Sequence, residues 1–367
     1  MTGISRRKAM KLGLQLAGSA GALSALNLRS ALAQPAIGKG STLTVSTWGG
    51  VTQDAIKAYI EPEFTKLTGA TIAYDIGGVG ARYNKLLAQR NNPVVDVFYG
   101  TDENTATGLK AGIMTPVSRK KVPLTADLAP WSLTVKTGTN SETVASVPVT
   151  LGAYVLGFNP QFIKEPITAW ADMWRPEFAG KLALAAPVHS AMPQLLIIAS
   201  ELAGGSATNI DPGLKKLAEL RPAKLTVFWT DWAPMLKSGD VTLATELAYY
   251  MEGMKDDKYP IEYVIPKEKG IASLTNLGLV KGSKNVELAE AFMNLCLEPS
   301  IQKVITNKTY YAPTSTKAVL SDAELARCPC GGKIDQIRFF DPEMLASVRP
   351  LWTERLNTEV LPQWKTR

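Results

Sequence analysis

The chain has 367 residues, 46% of them hydrophobic, with 40 Lys and Arg against 33 Asp and Glu and a formal net charge of +7. Five of those basic residues, Arg6, Arg7, Lys8, Lys11 and Arg29, lie in the first 33 positions; without that segment 35 basic residues face 33 acidic ones, a net charge of +2. So small an excess gives no reason to expect a nucleic-acid partner, and the remaining length suits two domains of ordinary size.

The opening segment reads as a secretory signal. Ser5-Arg6-Arg7-Lys8 precedes an apolar run, Leu12 to Leu28, broken only by small or amide residues, and Ala31-Leu32-Ala33 supplies a cleavage site before Gln34. The run is too short and too rich in Gly, Ala and Ser for a good membrane span. The paired arginines point to twin-arginine (Tat) export. The expectation is a periplasmic protein with a signal peptide over residues 1–33. ATP and reduced nicotinamide are not supplied there, so most cofactor enzymes are excluded and no cofactor is expected.

Downstream, strands and helices alternate. Leu43 to Trp48 predicts a strand stopped by Gly49-Gly50. Asp54 to Leu67 has helical spacing, with a kink or restart expected at Pro62. Thr71 to Ile76 predicts a second strand, Ala81 to about Gln89 a helix, and Val94 to Tyr99 a third strand. This alternation argues for a parallel α/β sheet. Val147 to Pro160 is a long, glycine-punctuated extended run able to cross between lobes. A second series follows: a strand at Lys181 to Ala185, a helix from about Met192 to Leu202, and strands at Lys224 to Trp229 and Val241 to Glu246. Ile271 to Val280 offers a return crossing, and Glu287 to Leu297 a further helix.

In open α/β sheets, ligands lie beyond the carboxyl ends of the strands. Trp48–Thr52, Gly77–Arg82 and Tyr99–Asn104 should therefore share one rim. Gly77-Gly78-Val79-Gly80 is not a nucleotide fingerprint, because its spacing is wrong and no Gly-Lys-Ser/Thr follows. On the rim, Trp48 is placed to stack on a ligand, and Arg82 to clamp a carboxylate or else form a surface ion pair. Thr101 and Asp102 are hydrogen-bonding candidates or a plain helix N-cap. In the second series Ser190 sits at a helix start, beside His189, the only histidine. Glu246 closes a strand where it can meet an amine or hydroxyl, or form a rim ion pair. Tyr249-Tyr250 and Tyr310-Tyr311 serve either packing or ligand contact. Cys296, Cys328 and Cys330 allow a bridge from Cys296 to one of the others, free thiols, or a Cys-Pro-Cys metal site lacking further ligands. Neither G-x-S-x-G nor H-E-x-x-H occurs, and with one histidine no nucleophile–base pairing is evident; an enzyme is not expected.

Leu43-Thr44-Val45-Ser46-Thr47-Trp48-Gly49-Gly50, Val95 to Thr101, Tyr154 to Pro160, Lys237 to Val241, Lys284 to Pro299 and Tyr310-Tyr311-Ala312-Pro313 occur in an order that resembles the spermidine/putrescine-type periplasmic solute-binding proteins of ABC importers. The resemblance implies a two-lobe α/β periplasmic-binding-protein fold of type II with the ligand in the interlobe cleft. It implies a first lobe of residues 34–150 plus about 277–312, and a second of 151–276 plus about 313–367. It also implies hinge closure on a small polar organic solute and delivery to an inner-membrane ABC permease, by a chain expected to be monomeric. Family members grip polyamines with acids and tryptophans; here two of the acidic positions fall on Ser190 and Thr275, and tryptophan positions near Leu247 and on Ser273. Trp48 and the Tyr310 region remain. The solute is therefore expected to bear carboxylate or hydroxyl groups, with an amine allowed. Ferric-ion binding relatives of this fold use a tyrosine pair like Tyr249-Tyr250, which makes iron the alternative cargo.

Overall fold

The computed structural model describes residues 37–365 apart from Phe228 and Pro329; the expected signal segment and its cleavage site lie outside the described residues. Among the described residues no helix is long and apolar enough to cross a membrane.

The chain opens as read. Strand β1 (Thr42–Thr47) buries Leu43 and Val45 completely, and Gly50 at φ 64 turns the chain into helix α1 (Val51–Ala55), three residues earlier than the spacing suggested. A π-helical turn (Ile56–Ile60) joins α1 to α2 (Glu61–Thr68), with Pro62 in the first turn of α2. The expected restart at Pro62 is thus a π-turn: proline has no N–H to donate, and the wider turn takes up the missing bond. Strand β2 (Thr71–Ile76), helix α3 (Val79–Ala88), strand β3 (Val97–Thr101) and helix α4 (Asp102–Lys110) follow.

The long run forms β4 (Val147–Phe158), buried along almost all its length, as a strand covered on both faces must be. Then come β5 (Leu182–Ala185), α5 (Met192–Leu202), β6 (Pro222–Thr226), β7 (Leu243–Leu247), α6 (Ala248–Asp256), β8 (Gly270–Val280), α7 (Val286–Cys296), α8 (Pro299–Thr309) and, near the end, α9 (Pro342–Arg355).

The strand order is β2-β1-β3-β8-β4-β7-β5-β6. β1 is parallel to β2 and β3, and β5 is parallel to β6 and β7. The two parallel groups are joined through the antiparallel pair β8 and β4. β8 pairs β3 along Thr275–Leu279, and β4 pairs β7 along Tyr154–Phe158, so the two long strands, paired with each other, link the halves of the sheet.

Each half has its own apolar core. Leu43, Val45, Ile56, Phe64, Val97 and Phe292 fill the first; Trp170, Leu184, Leu195, Leu243 and Trp352 fill the second. Cys296 lies in the first core, its sulfur 3.7 Å from the Tyr99 hydroxyl, whereas Cys328 and Cys330 are buried in a third cluster with Trp232 and Ile337. All three cysteines are unbridged, which corrects the expected bridge from Cys296: its partners sit in a different core. No cluster of three or more His, Cys, Asp or Glu able to hold a metal occurs among the described residues.

Candidate functional site

Because β1, β2 and β3 run parallel, their carboxyl ends share one edge, and the same holds for β5, β6 and β7. Between them the middle of β4 and β8 forms a floor. The register aligns Thr101, Thr275 and Thr150 in one row across β3, β8 and β4, and Ser273 faces Gly152 two residues on. Side chains alternate along a strand, so Ser273 and Thr275 share a face. A cavity of about 40 Å³ under this row, touching Thr150, Thr275 and Tyr311, has room for a water but not for a solute.

On the first edge Trp48 ends β1 half-buried, with the Arg82 guanidinium 5.1 Å from its ring centroid. Arg82 is not the free clamp expected. It is 3% exposed; its Nε donates to the Gly77 carbonyl (2.8 Å), and Nη1 to Ser46 Oγ (3.2 Å) and the Tyr99 carbonyl (3.0 Å). Phe98 covers its other side at 4.8 Å. Burial pulls this guanidinium down to about 10 despite the nearby Asp75. The residue ties the ends of three strands together.

Thr101 is the N-cap of α4: its Oγ1 accepts from Asn104 N–H, and Asn104 Oδ1 accepts in return from Thr101 N–H. Asp102 Oδ2 accepts from Thr134 Oγ1 (2.9 Å), and burial pushes its carboxyl up to about 6. Thr101 thus makes the N-cap, while Asp102 lies just inside the helix and ties it to Thr134.

On the second edge the Ser190 hydroxyl lies 2.9 Å from the Tyr154 hydroxyl, with Ser273 also beside Tyr154. His189 uses Nδ1 to accept from Ala191 N–H (3.1 Å) and packs edge-on against Tyr154. Glu246 is the penultimate residue of β7, 3% exposed; one carboxylate oxygen accepts from Leu247 N–H (2.8 Å). No ion pair reaches it among the described residues, so the expected rim pairing is absent. Burial pushes its carboxyl up to about 7. Its field reaches Tyr154 and Tyr250.

The tyrosine pairs separate. Tyr249 stacks with Tyr250 (centroids 4.2 Å apart) and with Tyr311 (4.0 Å). A Cβ on Gly152 would come within 3.3–3.4 Å of Leu247, Tyr249 and Tyr311, so glycine lets these rings lie over β4. Tyr310, named as a site residue, points away: its hydroxyl donates to Asp256 and its ring lies under Arg327. It terminates α8 in the left-handed region at φ 61, which sends Tyr310 outward and Tyr311 inward. The structure therefore groups Thr275 and Ser190 with Tyr154, Tyr250, Tyr311 and Ser273, sets Glu246 opposite Val155 on the other strand face, beside Trp232, from where only its field reaches the group, and leaves Arg82 and Tyr310 outside. Tyr154 was missed; strand alternation from Gly152 places it on the floor's face.

The model of the bacterial extracellular solute-binding protein family matches residues 60–328, most of the chain. The spermidine/putrescine-binding periplasmic protein 1 of Haemophilus influenzae is 27% identical over 281 residues, 75% of each chain. A crystal structure of an ABC transporter from Clostridium perfringens superposes with TM-score 0.73 at 25% identity, covering 87% of this chain and 99% of that one. The periplasmic binding protein AfuA of Actinobacillus pleuropneumoniae, with fructose-6-phosphate bound, shares the fold at 18% identity and TM-score 0.70, covering 87% and 98%. With a periplasmic-binding-protein α/β sheet, a strand-edge site and a family match over most of its length, the chain belongs to the bacterial extracellular solute-binding proteins and is the periplasmic, non-enzymatic binding component of an ABC importer.

Proposed function

We propose that the protein captures a small hydroxyl-bearing organic solute, with at most one ammonium group, in a cleft between two lobes and hands it to its permease. The observation that carries this is the composition of the second edge: the paired hydroxyls of Ser190 and Tyr154, with Ser273 beside them, in the field of one buried carboxylate, Glu246. A buried cation needs a carboxylate or an aromatic face, and Glu246 supplies neutralisation for a single charge. Nε and Nη1 of Arg82 are committed to the Gly77 and Tyr99 carbonyls and to Ser46, and only its buried Nη2 has no partner among the described residues, so the reading does not require a carboxylate on the solute.

The finer architecture belongs to the same proposal: a type II fold, a first lobe of 34–150 plus about 277–312, and a second of 151–276 plus about 313–367. Its support is that the two parallel groups meet only through the antiparallel pair, β8 against the first group and β4 against the second. Twin-arginine export and action as a monomer complete it, the former supported by Arg6-Arg7. The relatives are named for spermidine and putrescine, whereas AfuA is described with a sugar phosphate, so the fold does not prescribe a polycation.

A thermal-shift screen of the mature protein against amino alcohols, polyols, sugars, polyamines and Fe(III) tests the reading. A solute at a hundred times its Kd stabilises by about 2.7 kcal/mol. Putrescine and spermidine should bind weakly by calorimetry; a sub-micromolar polyamine Kd would overturn the proposal. Ferric salts should leave the protein colourless: burial holds the Tyr249 hydroxyl well above, and the Tyr250 hydroxyl above, the ordinary range, which disfavours phenolate ligands. A visible charge-transfer band, bleached by citrate, would favour iron.

Trp48 provides a second measurement. Trp48→Ala should weaken binding of the solute found in the screen by about 1–3 kcal/mol, the worth of one large apolar face. Unchanged affinity would assign the ring to covering Arg82 alone.

A further inference from the structure

Helix α9 touches both halves of the molecule. Leu345 and Trp352 enter the second core, and Leu356, just beyond the helix, joins them. On another face Glu343, Ala346 and Arg349 follow one another at i, i+3 spacing and meet the first half. Glu343 Oε1 accepts from the N–H groups of Lys136 (3.1 Å) and Thr137 (2.7 Å). Ala346 packs on Ala106, Val135 and Ala145. Arg349 donates through Nε and Nη2 to both carboxylate oxygens of Glu103, in the first turn of α4. The same guanidinium donates through Nη1 to the His189 carbonyl (3.3 Å) and through Nη2 to the Ser190 carbonyl (3.0 Å). The Glu103 and Arg349 side chains are 10% and 23% exposed.

One guanidinium therefore joins the rim of the first half to the loop of the second that carries Ser190. A lysine cannot do this, because a single ammonium has no planar fork for a carboxylate and two carbonyls together. The partners lie 246 and about 160 residues apart in the chain, so the contact closes a long loop. The charge is met on every side: Glu103 from α4, the two carbonyls from the 189–190 loop, and neutral His189 behind them.

We propose that Arg349 sets the resting spacing of the cleft: by clasping Glu103 together with the carbonyls of His189 and Ser190, it holds the rims of the two halves at one distance. The inference rests on the cleft reading given above, but its test uses no solute, so either can fail without the other.

The experiment compares full-length mature protein with Arg349→Met, Glu103→Gln and Arg355→Met, by small-angle scattering and by amide hydrogen exchange of residues 186–192. Arg355 lies on the same helix but, among the described residues, pairs only with Asp211 and Glu359, so its variant controls for general loss of helix stability. Arg349→Met should enlarge the radius of gyration and speed exchange at 186–192 by about tenfold or more, as expected when local opening becomes cheaper. Glu103→Gln should enlarge the radius but leave exchange at 186–192 nearly unchanged, since the two carbonyl bonds survive. Arg355→Met should change neither. A wild-type radius in both Arg349→Met and Glu103→Gln would overturn the proposal, as would an Arg355→Met variant that matches Arg349→Met in both readouts. If Arg349→Met fails to fold, Glu103→Gln and Arg349→Lys decide the question by the same radius measurement.

Discussion

Replacing Arg82 with alanine should destabilise the protein by about 3–5 kcal/mol, the range for losing a buried hydrogen-bonded charge with its packing. The side chain is buried and holds the Gly77 and Tyr99 carbonyls and the Ser46 hydroxyl. Its removal takes a donor from each of the two carbonyls, and leaves Trp48 and Phe98 without the group packed between them. An unsatisfied buried carbonyl alone costs about 1–3 kcal/mol. For a chain of this size the unfolding midpoint should fall by on the order of 10 °C. Differential scanning calorimetry of Arg82→Ala against wild type measures it. An unchanged midpoint together with lost solute affinity would return Arg82 to the ligand-clamping role read from its place in the sequence. Arg82→Lys should recover only part of the loss, because one ammonium cannot repeat the three bonds of the guanidinium.

The second large effect is a pH dependence carried by His189. Burial, and then the nearby Arg349 charge, push its imidazole down to about 4. In the unfolded chain the same group titrates near its ordinary value of 6.5. Between those values the unfolded state binds a proton that the native state refuses, so stability falls as the pH is lowered through this window. The full loss, reached below pH 4, is about 3 kcal/mol. Glu246 and Asp102 act in the opposite sense, since both carboxyls are raised and their folded forms gain protons first. The difference between wild type and His189→Asn isolates the histidine; asparagine's carbonyl can still accept from Ala191 N–H. Urea unfolding at pH 7 and pH 4 should show wild type losing about 3 kcal/mol more than the variant over that interval. Equal losses would show that His189 is not held neutral.

The two effects mark where sequence reading stops. The amino-acid order by itself determined the strands and helices almost to the residue at Thr71–Ile76 and Met192–Leu202, because periodicity and glycine or proline stops are local. It also placed Trp48, Ser190 and Glu246 at or near the carboxyl ends of the parallel strands, where the structure has them. It could not determine what each polar side chain spends its bonds on. Arg82 looked free because Gly77 lies five residues away, but Tyr99 and Ser46 come from other strands, and only the assembled sheet brings their oxygens to it. Tyr310 and Tyr311 are adjacent and chemically identical; one residue in the left-handed region decides which of them faces inward. Cys296 is separated from Cys328 and Cys330 by belonging to a different core. The Arg349–Glu103 clasp joins segments at opposite ends of the chain, and no local pattern announces it. Contacts of that range exist only after the strands have paired, which is why the tertiary structure alone decides them.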